Sequence, residues 1–177
     1  MRSAFVPGFA VMRARVSLEP SPRRGWKMAA PNTSTDGSCV HHGGCFCGAL
    51  RWEFASRVPV QSLSPRACDC DFCTRHRAAW VSDPQGHLDI RGDGAMLQRF
   101  RQGSDQAEFL LCRNCGVLVA VVARANDGRM IGAANRNAFD AHDQFVDETT
   151  VSPRLLAADA KRERWSQLWT PTDLSIG

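Results

Sequence analysis

Seven of the eight cysteines fall into three short clusters, Cys45-Phe46-Cys47, Cys68-Asp69-Cys70-Asp71-Phe72-Cys73 and Cys112-Arg113-Asn114-Cys115. Thiolates one to three residues apart converge from a single turn and close around one soft cation, while the turn's amides donate to the sulfurs. The pattern predicts a fold organised on metal sites, with zinc as the expected ion.

Ligand count then separates the clusters. A closed structural zinc site takes four protein ligands, and the first and last pairs, Cys45, Cys47, Cys112 and Cys115, supply four. The middle cluster offers three, Cys68, Cys70 and Cys73. Three protein ligands and an open fourth position form the pattern of a catalytic zinc, which keeps room for water or a substrate atom. Two zinc ions are therefore expected. His76 follows Cys73 by three residues and would close the second site as a fourth ligand; Cys39, His41 or His42 would do the same from further away. An even cysteine count also fits a disulfide framework. Against it stand the lack of a recognisable secretory signal and a length of 177 residues, enough to bury a core without covalent staples.

The sequence Gly43-Gly-Cys-Phe-Cys-Gly-Ala-Leu-Arg51, the Cys-x-Cys-x-x-Cys of Cys68 to Cys73, and Phe109-Leu-Leu-Cys-Arg-Asn-Cys-Gly116 occur in that order. Together they resemble the glutathione-dependent formaldehyde-activating enzyme family, also called the centromere protein V/Gfa family, over about residues 43–140. The resemblance implies a mainly β fold, an Mss4-like zinc-binding antiparallel fold, with a structural zinc on the outer cysteine pairs and a second, catalytic zinc on Cys68, Cys70 and Cys73. Relatives often carry His or Ser inside the middle motif, where this chain has Asp69 and Asp71. That departure bears on substrate preference more than on metal binding.

No apolar run approaches the roughly 20 residues that a membrane span needs, so the chain reads as a soluble, cytoplasmic protein with no membrane partner. The net charge of +4 is unevenly placed. Residues 1–30 hold six basic groups and Glu19, for +5, and the other 147 residues hold 16 basic and 17 acidic groups, for −1. A core of that charge lacks the concentrated basic face that phosphate binding needs, which argues against a nucleic-acid partner. Residues 1–38 read as a flexible basic extension, compatible with a transit peptide, a loose tail, or sequence upstream of a start at Met28. Residues 39–177 read as one zinc domain.

Within that domain the periodicity is mostly that of strands. Leu50, Trp52 and Phe54 alternate with Arg51 and Glu53, which predicts a strand with one apolar face. Further strands are expected over Ala78 to Ser82, His87 to Arg91, Met96 to Arg101, Ala107 to Leu111, Val117 to Ala123 and Arg129 to Ala134, separated by turn signals such as Asp83-Pro84 and Asn126-Asp-Gly128. The unbroken apolar run Val117 to Val122 predicts a strand buried on both faces. Ser152-Pro153 resembles a cap and first helical residue, so a C-terminal helix is expected from there through Trp169, with its tryptophans packing on the sheet.

An open thiolate-bound zinc favours a sulfur donor, and a coordinating thiol loses its proton at neutral pH. With glutathione as co-substrate, the expected chemistry is carbon–sulfur bond formation with an aldehyde, or its reverse: a lyase acting on S-hydroxymethylglutathione or a related adduct. The alternative is that the metal polarises the aldehyde oxygen while the thiol is held elsewhere. Glutathione's carboxylates call for guanidinium or backbone donors. Arg75 and Arg77 are the first candidates for these thiol contacts, followed by Arg51 and the polar set Asn135-Arg136-Asn137. A reading from a different class is a catalytically silent, zinc-stabilised interaction module. Oligomeric state is not legible in the sequence.

Overall fold

A computed structural model describes residues 32–33 and 39–177. Apart from Asn32 and Thr33, the expected basic extension over 1–38 lies outside the described residues. In chain order the elements are β1 Asn32–Thr33, β2 Cys39–Gly44, β3 Leu50–Ser56, β4 Arg66–Cys68, the short helix α1 Asp71–Arg75, β5 Ala79–Val81 and β6 His87–Gly92. They continue as β7 Leu97–Arg101, β8 Ala107–Cys112, β9 Leu118–Arg124, β10 Met130–Asn135, β11 Thr149–Val151, α2 Ala158–Leu168 and β12 Thr170–Ile176. The protein is mainly β with a C-terminal helix, as expected, and every strand anticipated from periodicity is present.

The strands form two layers joined through β12. One runs β1–β2–β3–β6–β12, and the other contains β7–β8–β9–β10 with β5, β4 and β11 continuing from β10. Thr170 and Pro171 of β12 pair with β10, and Thr172 onward pairs with β6, so one strand feeds both layers. Alternation decides the inner face. Leu50, Phe54, Leu88 and Ile90 meet Leu110 and Val119 in one core cluster. Each such side chain contributes about 1.5–3 kcal/mol when fully buried. Strand β9 is buried at every residue from Leu118 to Ala123. Its second face, with Phe109, Ile131 and Ala133, is covered by Trp165, Leu168 and Trp169 of the α2 region.

Three differences from the sequence-based expectations have physical causes. Most ladders are antiparallel, but β12 runs parallel to β6 and β11 parallel to β4. Both parallel pairs join segments distant in sequence, which local turn signals cannot report. The expected C-terminal helix begins later: Pro153–Leu155 is a single 3₁₀ turn, and Leu156 and Ala157 are extended before α2 starts at Ala158. Ser152 makes no helix cap because its hydroxyl donates to the Asp69 carboxylate at 2.8 Å. Cys39, a possible fourth zinc ligand in the sequence, instead belongs to β2 opposite Ser56, and Asn32 and Thr33 of the expected flexible extension pair with Val40 and Cys39.

Candidate functional site

The two outer cysteine pairs sit in matching turns. Cys45 opens the β2–β3 turn, where its amide donates to Leu50 O at 2.9 Å and Leu50 N–H donates back to Cys45 Sγ at 3.2 Å. Cys112 ends β8, its amide donates to Val117 O at 2.9 Å, and Gly116 N–H reaches Cys112 O at 2.8 Å. Gly48 and Gly116 both turn the chain through left-handed φ, at 80° and 74°. Antiparallel pairing of β2 with β3 and of β8 with β9 forms each turn, and packing of the two hairpins in one core that holds both Cys45 and Cys112 brings the turns together, so that Cys47 Sγ lies 3.5 Å from both Cys45 Sγ and Cys112 Sγ. All four sulfurs lie within 4.8 Å of one another. A tetrahedral zinc with Zn–S near 2.3 Å places its sulfurs about 3.8 Å apart, so the donor set fits the ion.

Without a cation the four sulfurs cannot all ionise. Burial pushes Cys45 up to about 12, with the neighbouring thiols adding to it. Burial also acts upward on Cys47, but donors from the Ala49 backbone and the Asn114 side chain, with Cys112 and Cys45, outweigh it and bring this thiol to about 6. Cys47 accommodates its charge while burial resists charge on Cys45 and Cys112, which is the electrostatic condition a divalent ion relieves.

The middle cluster is built on the β4–α1 junction. Cys68 ends β4, Cys70 precedes the first residue of α1, and Cys73 lies inside it, so a single helical turn gathers three sulfurs within 4.8 Å. Gln102 Nε2 donates to Cys70 Sγ at 3.7 Å. The side chain of Cys73 holds Cys68 down to about 6, and Cys73 itself is pushed up by Cys68 and by burial.

No described His, Asp or Glu joins either sulfur group. His76 caps the C-terminus of α1, and its ring lies tilted against that of Phe72, with centroids 4.6 Å apart. His41 donates from Nε2 to Val58 O at 3.3 Å, His42 faces Glu53, and Cys39 is on the same strand, β2. All eight cysteines are unbridged.

The three sulfurs border a cavity of about 200 Å³. Its apolar walls include Trp80, Phe109 and Val121 from the sheet and Trp165, Leu168 and Trp169 from the α2 region, where the two indoles stack at 4.8 Å. Its cations are Arg66, Arg154, Lys161 and Arg164. Arg66 Nη2 donates to Ser82 Oγ, which in turn donates to Leu168 O at 2.6 Å. Burial holds Arg66 below the ordinary arginine range, and the nearby charge of Arg164 adds to the effect. Arg154 pairs with Asp69, whereas among the described residues no carboxylate lies at ion-pair distance from Arg66, Lys161 or Arg164.

None of the arginines singled out from sequence lines this cavity. Arg75 and Arg77 are exposed at and just past the end of α1, and the Arg77 carbonyl accepts from Asn137 Nδ2 at 2.8 Å. Arg51 pairs with Asp140 at 2.7 Å and Arg136 with Glu148 at 3.2 Å. Asn135 is buried, and its Nδ2 donates to Leu118 O. Two of the cavity's cations, Lys161 and Arg164, lie in Lys161-Arg162-Glu163-Arg164, which in sequence resembles a solvated helix face. The available signal was spacing: residues 161, 164, 165 and 168 fall on one side of a helix.

Fold and sulfur geometry together define a mainly β protein with two cysteine sites placed to bind metal ions. Residues 40–151 match the family described as glutathione-dependent formaldehyde-activating enzyme, and the chain belongs to that family. A Rhodobacter sphaeroides protein of known crystal structure is similar over 62% of this chain and 99% of its own, at 23% identity and a TM-score of 0.47. The cavity wall from Pro153 to Trp169 lies past the matched residues.

Proposed function

We propose that the protein is a zinc-dependent carbon–sulfur lyase-type enzyme that forms or cleaves a thiol–aldehyde adduct, S-hydroxymethylglutathione or that of a related aldehyde. The observation that carries this reading is the three-sulfur group of Cys68, Cys70 and Cys73, bordering a cavity with no fourth side-chain ligand among the described residues. Cys45, Cys47, Cys112 and Cys115 form the closed, structural set in this reading.

Zinc held by Cys68, Cys70 and Cys73 would supply a Lewis acid that lowers the pKa of a substrate thiol. The chain's own groups do the rest. The Gln102 amide spreads the negative charge of the sulfur set through its contact with Cys70. Arg66 and Arg164 offer guanidinium donors to a carboxylate of the thiol substrate. The aromatic walls displace water, which strengthens each of these charge interactions. In adduct formation the thiol sulfur bonds to the carbonyl carbon, the carbonyl π pair moves to oxygen, and the proton given up by the thiol ends on that oxygen. Cleavage is the reverse, with no net redox change.

Formaldehyde adds to glutathione unaided, so the test is the exchange rate between free and adducted glutathione, read by NMR, with and without the zinc-loaded protein. Acceleration that is lost in Cys70→Ser supports the enzyme. Exchange at the uncatalysed rate beside two inert zincs would leave an interaction module as the better reading.

A further inference from the structure

The cavity beside Cys68, Cys70 and Cys73 is more apolar than a one-carbon aldehyde or a peptide-like thiol requires. Three tryptophans and Phe109 border it, together with Val121 and Leu168. An apolar cavity of about 150 Å³ holds a benzene-sized group, and this one measures about 200 Å³. Its polar complement is just as selective. Arg66, Lys161 and Arg164 supply positive charge with no carboxylate partner among the described residues, and no acidic side chain lines the cavity. Three thiolates around a divalent ion would carry one net negative charge, fewer than the three cations without a carboxylate partner, so the half-buried set leaves positive charge that an anion relieves.

We propose that the occupant of this cavity is a carboxylate with an aryl or branched alkyl body, its anionic end at Arg66, Lys161 and Arg164 and its apolar body against Trp80, Phe109, Trp165 and Trp169. The assignment rests on the reading that chemistry occurs at the three-cysteine group, and it names the substrate class: adducts that carry an apolar, carboxylate-bearing substituent. Lys161, Arg164, Trp165 and Trp169 lie past the segment matched to the family, and Arg66, Trp80 and Phe109 lie within it, so the proposed preference draws on both. The C-terminal wall is latched to the cysteine loop. Asp69, between Cys68 and Cys70, accepts from Ser152 Oγ at 2.8 Å and pairs with Arg154 Nε at 3.1 Å.

Because three tryptophans line the cavity, quenching of intrinsic fluorescence reads binding without turnover. The zinc-loaded full chain is titrated with phenylacetate, acetate and benzyl alcohol. Phenylacetate is expected to bind at least about tenfold more tightly than either truncated probe, since each lacks one half of the recognition. Arg164→Gln is expected to weaken phenylacetate about tenfold and leave benzyl alcohol unchanged. Arg66→Gln repeats the test on β4, with circular dichroism confirming that the variant is folded. Equal binding of acetate and phenylacetate, equal binding of benzyl alcohol and phenylacetate, or no saturable quenching overturns the proposal. The two readings fail separately. Accelerated glutathione–formaldehyde exchange without phenylacetate binding removes only the substrate class, and selective phenylacetate binding without any exchange activity removes only the lyase.

Discussion

The Asp69 carboxylate sits 3.1 Å from Arg154 Nε, which joins the loop between Cys68 and Cys70 to the segment that leads into α2. The same loop is held a second time where the Asp69 amide donates to Val151 O at 3.0 Å. A cysteine loop and a cavity wall more than 80 residues apart in sequence thus share one anchor. In Asp69→Ala the backbone bond and the parallel β4–β11 pair remain, so the protein stays folded and keeps its metal. Residues 152–157 lose their side-chain tether. Limited proteolysis is expected to cleave that segment faster in the variant, with little change in thermal midpoint. Unchanged cleavage would show that the backbone pairing alone fixes the wall.

The division between the two sulfur sites is tested by one substitution in each. The binding free energy of a structural zinc is folding free energy, on the order of 10 kcal/mol. Cys112→Ser removes a ligand from the four-sulfur set at the end of β8, where Cys112 is buried. Its thermal midpoint is expected to fall by about 10 °C or more. Cys70→Ser removes a ligand from the site on a five-residue helix, and its midpoint is expected to move by about 3 °C or less while one zinc becomes easily chelated. Equal collapse of both variants, measured by calorimetry and zinc titration, would remove the distinction.

What was legible in the sequence follows from how local each signal is. The cysteine clusters announce their grouping because the ligands within each pair or triplet are close in sequence, and the sheets then bring Cys45 and Cys112 together. Leu50, Trp52 and Phe54 report their strand through simple alternation, and Val117 to Val122 report burial on two faces through its absence. By contrast, Thr172–Ile176 pairs with Leu88–Gly92 across more than 80 residues, and Arg66 borders one cavity with Lys161 and Arg164, more than 90 positions away. Proximity to Cys73 made Arg75 and Arg77 the natural candidates. The end of α1 leaves both exposed, while Arg66, before the triplet on β4, lines the cavity.

Asp83 gives the fold a pH dependence on the acid side. Its carboxylate accepts from Ser56 Oγ at 2.9 Å, Arg57 N at 3.2 Å and Gln85 N at 2.9 Å. Burial works to raise its pKa, but these donors outweigh it and hold the group below the ordinary carboxylate value. A depressed folded pKa means that the stabilisation is fully present above the unfolded value near about 3.9 and drains as pH falls through the folded one. Solvent screens the site, so the contribution is on the order of 1 kcal/mol. Asp83→Asn is expected to melt about 2–4 °C below the parent at pH 6, with the gap narrowing below pH about 4. A gap that stays constant to pH about 3 would assign the effect to packing instead.

Gly116 closes the turn after Cys115 with φ at 74°, and a Cβ placed there would meet no atom within 4 Å. Space is therefore not the constraint. A side chain in the left-handed region costs about 1–2 kcal/mol through contact with its own backbone, and Asn tolerates that region better than Ala. Gly116→Ala is expected to lower the thermal midpoint by about 2–8 °C, and Gly116→Asn by less. Both keep the Gly116 amide that donates to Cys112 O, so zinc stoichiometry should stay unchanged in each. If Ala and Asn prove equally harmful and zinc is lost from both, then the turn fixes sulfur positions so tightly that backbone strain and metal binding cannot be separated.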